Sequence, residues 1–323
     1  MELLRFIFKR ILQTIPLLII VSLISFFIIR ISPIDPLAEL RLNPSISQET
    51  LNKEIKRLNL DKPISIQYLS WAKSFIKGDL GYTSSGEKVA IKLKERIPNT
   101  LLLTFVVIVM TWSVGLPLGI LSATHKGSFI DRLLTVIASI GMAIPSFFFA
   151  ILLLIFAVKT GLFPVGGLTS YNFNEMSIIG KLIDIAKHII LPAFVLFTIS
   201  LSSLQRQMRA NMLDVLDSEY VKFARAKGLP ESKVIYKHAL RNAINPMITL
   251  LGFEFAGLLS GAALTEYVFQ YPGLGRLILE AVMKSDINLV MASLMMGTIM
   301  LILGNLLADV LLMITDPRIR TKQ

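Results

Sequence analysis

The chain has no cysteine, so it makes no disulfide, carries no thiolate nucleophile and offers no Cys-ligated metal site. Charge is also scarce. Only 17% of residues are charged against 54% hydrophobic, and the mean hydropathy is +0.66. A soluble domain carries about 25% charged residues, so this composition calls for lipid as solvent. No G-x-x-x-x-G-K-[ST] phosphate loop occurs, and the chain therefore cannot cradle ATP in the usual way. H-E-x-x-H and G-x-S-x-G are missing too, and no paired acids stand within an apolar run, which argues against an intramembrane protease. His125, His188 and His238 are scattered over three regions with no helical ligand spacing, which argues against a shared metal site.

What is present is a series of apolar runs. A bilayer span takes roughly 20 mostly apolar residues, and the expectation is an all-α, polytopic membrane protein with about six transmembrane helices. Ile11–Ile29 is uncharged and follows Arg5, Lys9 and Arg10, so span one (1–31) starts in the cytoplasm. It is too long for a signal h-region and lacks a small-residue cleavage site, so it reads as an uncleaved anchor. Residues 32–98 turn polar and form a small extracytoplasmic helical subdomain. Ser47 caps one amphipathic helix with Leu51, Ile55 and Leu58 on a face. After the Asp61-Lys62-Pro63 turn, Ile64, Tyr68, Trp71, Ala72 and Phe75 repeat the pattern. This segment is Lys-rich although it faces outward, but long loops translocate largely regardless of charge.

Further spans are expected at Leu101–Leu121, at Leu133–Val158 with a kink at Pro145, at Ile189–Leu204 with a break at Pro192, at Ile244–Val268 and at Ile287–Ile314. Gly161–Lys187 and Phe269–Asp286 are outer connections. A tail, 316–323, ends the chain with Arg318, Arg320 and Lys322. Both termini then lie in the cytoplasm, consistent with an even number of spans. The net charge of +11 follows from positively charged inner loops and implies no nucleic acid.

The densest of these loops, 206–243, holds Arg206, Arg209, Lys222, Arg225, Lys227, Lys233, Lys237 and Arg241. Asp217 or Ser218 caps a short helix, Glu219–Lys227, which Gly228 ends in a left-handed conformation. Pro230 opens a second helix that runs through Asn242. Tyr220, Phe223 and Ala224 fall on one face beside Lys222, Arg225 and Lys227, an apolar stripe rimmed by base that suits a docking knob for a partner protein. An interfacial helix on anionic lipid fits the same features.

The segment EYVKFARAKGLPESKVIYKHALRNAINP resembles the cytoplasmic loop of ABC-importer permeases in the dipeptide, oligopeptide and nickel branch. The general loop has Glu-Ala-Ala where this chain has Lys222-Phe223-Ala224, a departure that the same branch shares. GDLGYT at Gly78, RIPNTLLLT at Arg96, GLFPVGG at Gly161, LTEYVFQYPGLGRL at Leu264 and DPRIR at Asp316 match in the family's order over nearly the whole chain. The resemblance implies a type I ABC-importer permease fold with its core over 99–315, paired with a second, similar permease. The stretch Glu219, Tyr220, Lys222, Phe223, Ala224, Arg225, Ala226, Lys227 and Gly228 would be the coupling helix, seated in a cytoplasmic ATPase. That ATPase, not this chain, would bind ATP and magnesium, and an extracytoplasmic solute-binding protein would deliver peptides or a related small solute such as a nickel chelate. The location implied is the bacterial or archaeal inner membrane.

Single residues attract separate expectations. Glu254, inside span five, lines the translocation path and favours cationic cargo, or is paired, protonated or packed between helices. Glu266 precedes the PGLG turn, where a gate, a structural hydrogen bond or an ordinary interfacial acid all fit. Asp309 and Arg30 read as boundary residues, and Phe147–Phe149 and the methionines near Met291 as packing or lipid contacts. A channel or ion-coupled carrier acting alone is the competing class. It would need intramembrane acids or an inverted repeat, and the sequence offers essentially Glu254 and no clear repeat.

Overall fold

The computed structural model describes residues 2–31, 37, 41, 46–57 and 60–315, so Leu58 and the DPRIR tail lie outside the described residues. Helix α1 is Glu2–Ile31, and two short outer helices follow, α2 (Gln48–Arg57) and α3 (Ile64–Ile76). Ser47 caps α2 as expected, its hydroxyl accepting from the Thr50 amide at 3.2 Å. Leu51 is buried. On α3, Tyr68, Trp71 and Phe75 form an aromatic ladder that meets Phe26 of α1, with Phe26 and Tyr68 edge to face at 5.5 Å. Ile64, placed on that face by its spacing, is exposed instead, and Gln67 is buried with its amide donating to the Lys62 carbonyl.

Pro98, Pro192 and Pro145 behave unlike their sequence expectation. Helix α4 runs without interruption from Val89 to Thr124, through Pro98 and Pro117. The helix therefore begins twelve residues before Leu101, the expected start of the span. Helix α7, Ile178–Leu216, likewise passes through Pro192. A membrane helix tolerates such residues because neighbouring groups re-satisfy the freed backbone. Pro145 does the opposite. It separates α5 (Phe129–Ala143) from α6 (Ser146–Thr160), and the two meet at 95°, a break rather than a kink. Ile144 is extended (φ −86°, ψ 120°), as a residue before proline prefers, and Pro145 is extended as well. Two consecutive non-helical residues turn the chain.

After α7 come α8 (Glu219–Ala226) and α9 (residues 231–243), then α10 (Asn245–Gly261), α11 (Ala263–Val268), α12 (Leu274–Met283) and α13 (Ile287–Thr315). The expected fifth span is thus split at Ala262 into α10 and α11. Among the described residues four helices, α1, α4, α7 and α13, are individually long and apolar enough to cross a bilayer, and α5 with α6 makes a fifth crossing if the bent pair is one span. A count of six requires α10, whose 17 residues sit at the lower end of the roughly 17–25 that a span needs.

Helices α4 and α7 share the most extensive interface. Glycines bring them close. A Cβ at Gly119 would stand 2.6 Å from Met208 Cβ and 2.9 Å from the Gln205 carbonyl oxygen. At the other side of the bundle α1 lies along α13, where Arg10 reaches Asp309 through Nε at 3.2 Å and Nη2 at 3.3 Å. Arg10 is near the start of α1 and Asp309 near the end of α13, so these two helix ends lie at the same end of the bundle. Arg30, at the opposite end of α1, sits over the Phe26 ring at 5.4 Å. Met291 is fully buried, while Phe147 and Phe148 are exposed along the bundle surface.

Candidate functional site

The basic loop is a helix pair set on the end of α7. Only one residue pair, Asp217 and Ser218, separates α7 from α8. Ser218 occupies the N-cap position, but its hydroxyl turns back to donate to the Val215 carbonyl at 2.5 Å rather than capping α8. Gly228 has φ +75°, the left-handed conformation that glycine adopts without a Cβ penalty. Pro230 is one position earlier than expected, as N-cap of the next helix. That helix, α9, is not α-helical throughout: Val234–Ala239 is a π-helix between short α segments. Sequence periodicity gives no sign of it, because a π turn keeps the same residue types and changes only the hydrogen-bond register.

The two faces of α8 divide differently from the expected stripe. Val221 and Ala224 are buried, while Tyr220 and Phe223 are exposed, Phe223 by 61%. Ala224 therefore belongs to the inner face, not to the knob. Behind it, Val221 and Ala224 join Val234 and Ala239 of α9, Met208, Met212 and Leu216 of α7, and Ile120 of α4 in one apolar cluster. At roughly 25 cal/mol per Å² of apolar surface removed from water, this cluster is what seats α8 on the bundle. Tyr236 of α9, 63% exposed, extends the outward aromatic patch, and residue spacing had not singled it out.

Charges rim that patch. Arg225 makes a forked pair with Glu231 across the Gly228 turn, Nη2 to Oε1 at 2.7 Å and Nε to Oε2 at 3.2 Å. The Arg225 guanidinium holds the Glu231 carboxyl below its ordinary value. Lys222 binds Glu219 at 2.9 Å, which raises the ammonium's pKa. The Lys227 ammonium covers the Phe223 ring at 4.6 Å. Asn242, at the far end of α9, donates to the Tyr220 hydroxyl at 2.7 Å and ties the two helices together. Ala226 ends α8.

The other end of the bundle gathers the four other motifs among the described residues. Glu266 is fully buried. The Thr100 hydroxyl donates to its Oε1 at 2.9 Å and the Arg276 amide to its Oε2 at 2.9 Å. Thr100 accepts in turn from the Leu274 amide at 2.7 Å, and Asn99 donates to the Pro272 carbonyl at 2.8 Å. Gly273 is required here, since a Cβ would overlap the Glu266 carboxyl. RIPNT and EYVFQYPGLGRL are thus one latch. GLFPVGG joins it through the Gly167 amide, which donates to the Phe269 carbonyl at 3.1 Å. GDLGYT packs beside it, with Asn288 donating to the Tyr82 carbonyl at 3.0 Å.

Glu254 stands between these two ends. The Trp112 indole donates to its Oε2 at 2.7 Å, and the Ser200 hydroxyl lies beside the same carboxyl. Among those residues no group of three His, Asp or Glu side chains gathers as a metal site.

Comparison with known proteins places this geometry in context. The family model described as "Binding-protein-dependent transport system inner membrane component" matches residues 115–321, and its N-terminal companion matches 3–104. The oligopeptide transport system permease protein AppB of Bacillus subtilis is 38% identical, over 97% of this chain and 98% of its own. The dipeptide transport system permease protein DppB of Escherichia coli is 35% identical over 99% and 100%. The di/tripeptide permease DppB of Pseudomonas aeruginosa is 34% identical over 98% and 99%. Among solved structures, the inward-facing MetNI methionine ABC transporter shares the fold at a TM-score of 0.57 and 18% identity, covering 70% of this chain and 97% of that one.

Proposed function

The chain belongs to the binding-protein-dependent transport system inner membrane component family, and on that footing we propose how it works as a permease subunit of an ATP-binding-cassette importer for peptides. It is a transport component rather than an enzyme, and its family works with an ATPase and a substrate-binding protein.

In this mechanism α8 is the coupling helix. Its outward face, Tyr220, Phe223 and the Lys227 stem, enters a groove of a cytoplasmic ATPase, with Lys222 and Arg225 at the rim. ATP and magnesium are held by that ATPase. Closure of two ATPase subunits displaces α8, and because Val221 and Ala224 are buried in the same cluster as α4 and α7, the bundle end moves with it as a rigid body. A second, homologous permease completes the path, and both termini lie in the cytoplasm. The observation that carries this is an α8 with a fully packed back and an aromatic, unpacked front. An interfacial lipid helix would immerse its apolar face in acyl chains, whereas this one spends its apolar residues inward and presents only an aromatic edge set among charges.

The test is Phe223→Asp in the assembled importer in proteoliposomes. ATPase subunits should no longer co-purify with the permease, and ATP-driven peptide uptake should fall to background. Normal recruitment and uptake would refute the assignment. Uptake by this chain reconstituted without any ATPase would instead favour a stand-alone carrier.

A further inference from the structure

The coupling helix has two connections to the bundle, and they are built differently. Downstream, the chain passes through the π-helical stretch Val234–Ala239. Such stretches are rare, and helices bend at them, so displacement can be absorbed there. Upstream is α7, a single helix of 39 residues that ends two residues before α8.

Two turns before that end, Arg209 grips Asp131 at the start of α5, Nε to Oδ1 at 2.7 Å and Nη2 to Oδ2 at 2.8 Å. Asp131 is buried, and each of its oxygens accepts a second bond. Ser122 of α4 donates to Oδ1 at 2.5 Å, and the Gly127 amide in the α4–α5 turn donates to Oδ2 at 2.9 Å. One carboxylate therefore fastens α4, the turn after it, α5 and α7 at a single point. A buried ion pair seldom adds net stability over an apolar pair of the same shape, because desolvation offsets the attraction. What it does supply is a fixed direction between two planar groups. Beside this joint a cleft of about 800 Å³ lies between the α4–α5 turn and the helix pair, lined by His125, Lys126, Arg225 and Tyr236. Around this cleft α4 meets α8 through the apolar cluster that holds Ile120 and Ala123, whereas α5 has no residue in that cluster.

We propose that the Asp131–Arg209 pair is the joint that passes the displacement of α8 along α7 to the α4–α5 hairpin, with both residues acting as positioning residues. The proposal rests on the coupling assignment above. Without the joint, α5 still packs on α7 at Gly141 and Ser202, but its start and the α4–α5 turn lose their fixed orientation to the end of α7 that carries α8. Hydrolysis then continues while the bundle fails to open fully.

The double variant Asp131→Asn with Arg209→Gln keeps shape and removes both charges, so it leaves no buried charge unpaired. In the full importer it should still recruit the ATPase, while labelled alanine peptide imported per ATP hydrolysed falls roughly tenfold, the fold-change of losing about one charge-assisted hydrogen bond. Arg209→Lys keeps the charge but not the fork and should fall in between; it supplies the ratio if the double variant does not assemble. A second readout uses spin labels at Lys126→Cys and Lys222→Cys. With Asp131 and Arg209 in place their separation should be unchanged by ATP, and in the double variant it should shift. An unchanged ratio, or hydrolysis and uptake lost in parallel with a lower melting temperature, would reduce the pair to a structural clamp and overturn the proposal. Phe223→Asp run alongside separates the two failures: if that variant recruits and transports normally, the coupling assignment itself has failed.

Discussion

Trp112 and Glu254 meet inside the bundle, with the indole donating to one carboxyl oxygen and Ser200 beside the carboxyl. A buried acceptor that loses its donor costs about 1–3 kcal/mol, more if charged, while a neutral isostere leaves the pairing intact. Trp112→Phe should therefore lower the detergent melting temperature, and Glu254→Gln should leave it equal or higher. Equal losses from both substitutions would mean that the indole bond carries none of the effect. Glu266 offers the contrasting case, since both its oxygens are filled and Gly273 is packed against it. Gly273→Ala should destabilise by about 1–3 kcal/mol, the usual cost of overpacking, read from the same melting curves. The acids at 254 and 266 were visible in the sequence as charges in apolar surroundings, but their partners were not. Trp112 is 142 positions from Glu254 and Thr100 is 166 from Glu266, and a single sequence carries no signal for pairs so distant.

The helix–turn–helix unit was largely legible, because its punctuation is local. Gly228 and Pro230 announce a turn by backbone chemistry alone, and the α8 boundaries came out within a residue. Which face would be buried was misjudged at Ala224. Tyr220, Phe223 and Ala224 share a helical spacing, yet Val221 and Ala224 are the small residues that fit against the closely packed end of α7. The π segment and the continuity of α4 and α7 through proline were illegible, since they depend on neighbours that restore backbone hydrogen bonds. Gly228→Ala forces an L residue to φ +75° at a place where no atom lies within 4 Å of the added Cβ. It should cost about 1–2 kcal/mol of backbone strain and lower ATPase recruitment without abolishing it; full recruitment at normal melting temperature would show that the turn conformation does not matter. The Arg225–Glu231 fork adds a pH dependence. Glu231 has a lowered folded-state pKa, so its contribution is present above the unfolded value and fades as pH falls through the folded one. Both partners are substantially exposed, so the effect is small and sensitive to salt.

At the scale of the molecule, four motifs far apart along the chain turn out to be spatial neighbours. RIPNT, GLFPVGG and EYVFQYPGLGRL interlock at one end of the bundle, with GDLGYT packed beside them, while the basic helix pair occupies the other. Motif order revealed the family resemblance, but the convergence follows only from α4 and α7 crossing the whole bundle as unbroken rods. The Arg10–Asp309 pair puts the start of α1 and the end of α13 together at the end that also bears Arg209 and α8, and positive charge accumulates on the cytoplasmic side of a membrane protein. That end should therefore face the cytoplasm. Because the natural chain has no cysteine, single introduced thiols report orientation against a silent background. In right-side-out membrane vesicles a membrane-impermeant maleimide should label Tyr171→Cys, a fully exposed position in the connection after α6, directly, and Lys126→Cys, in the α4–α5 turn, only after permeabilisation. Labelling of Lys126→Cys in sealed vesicles would invert the molecule and put α8 on the side where no ATPase can reach it.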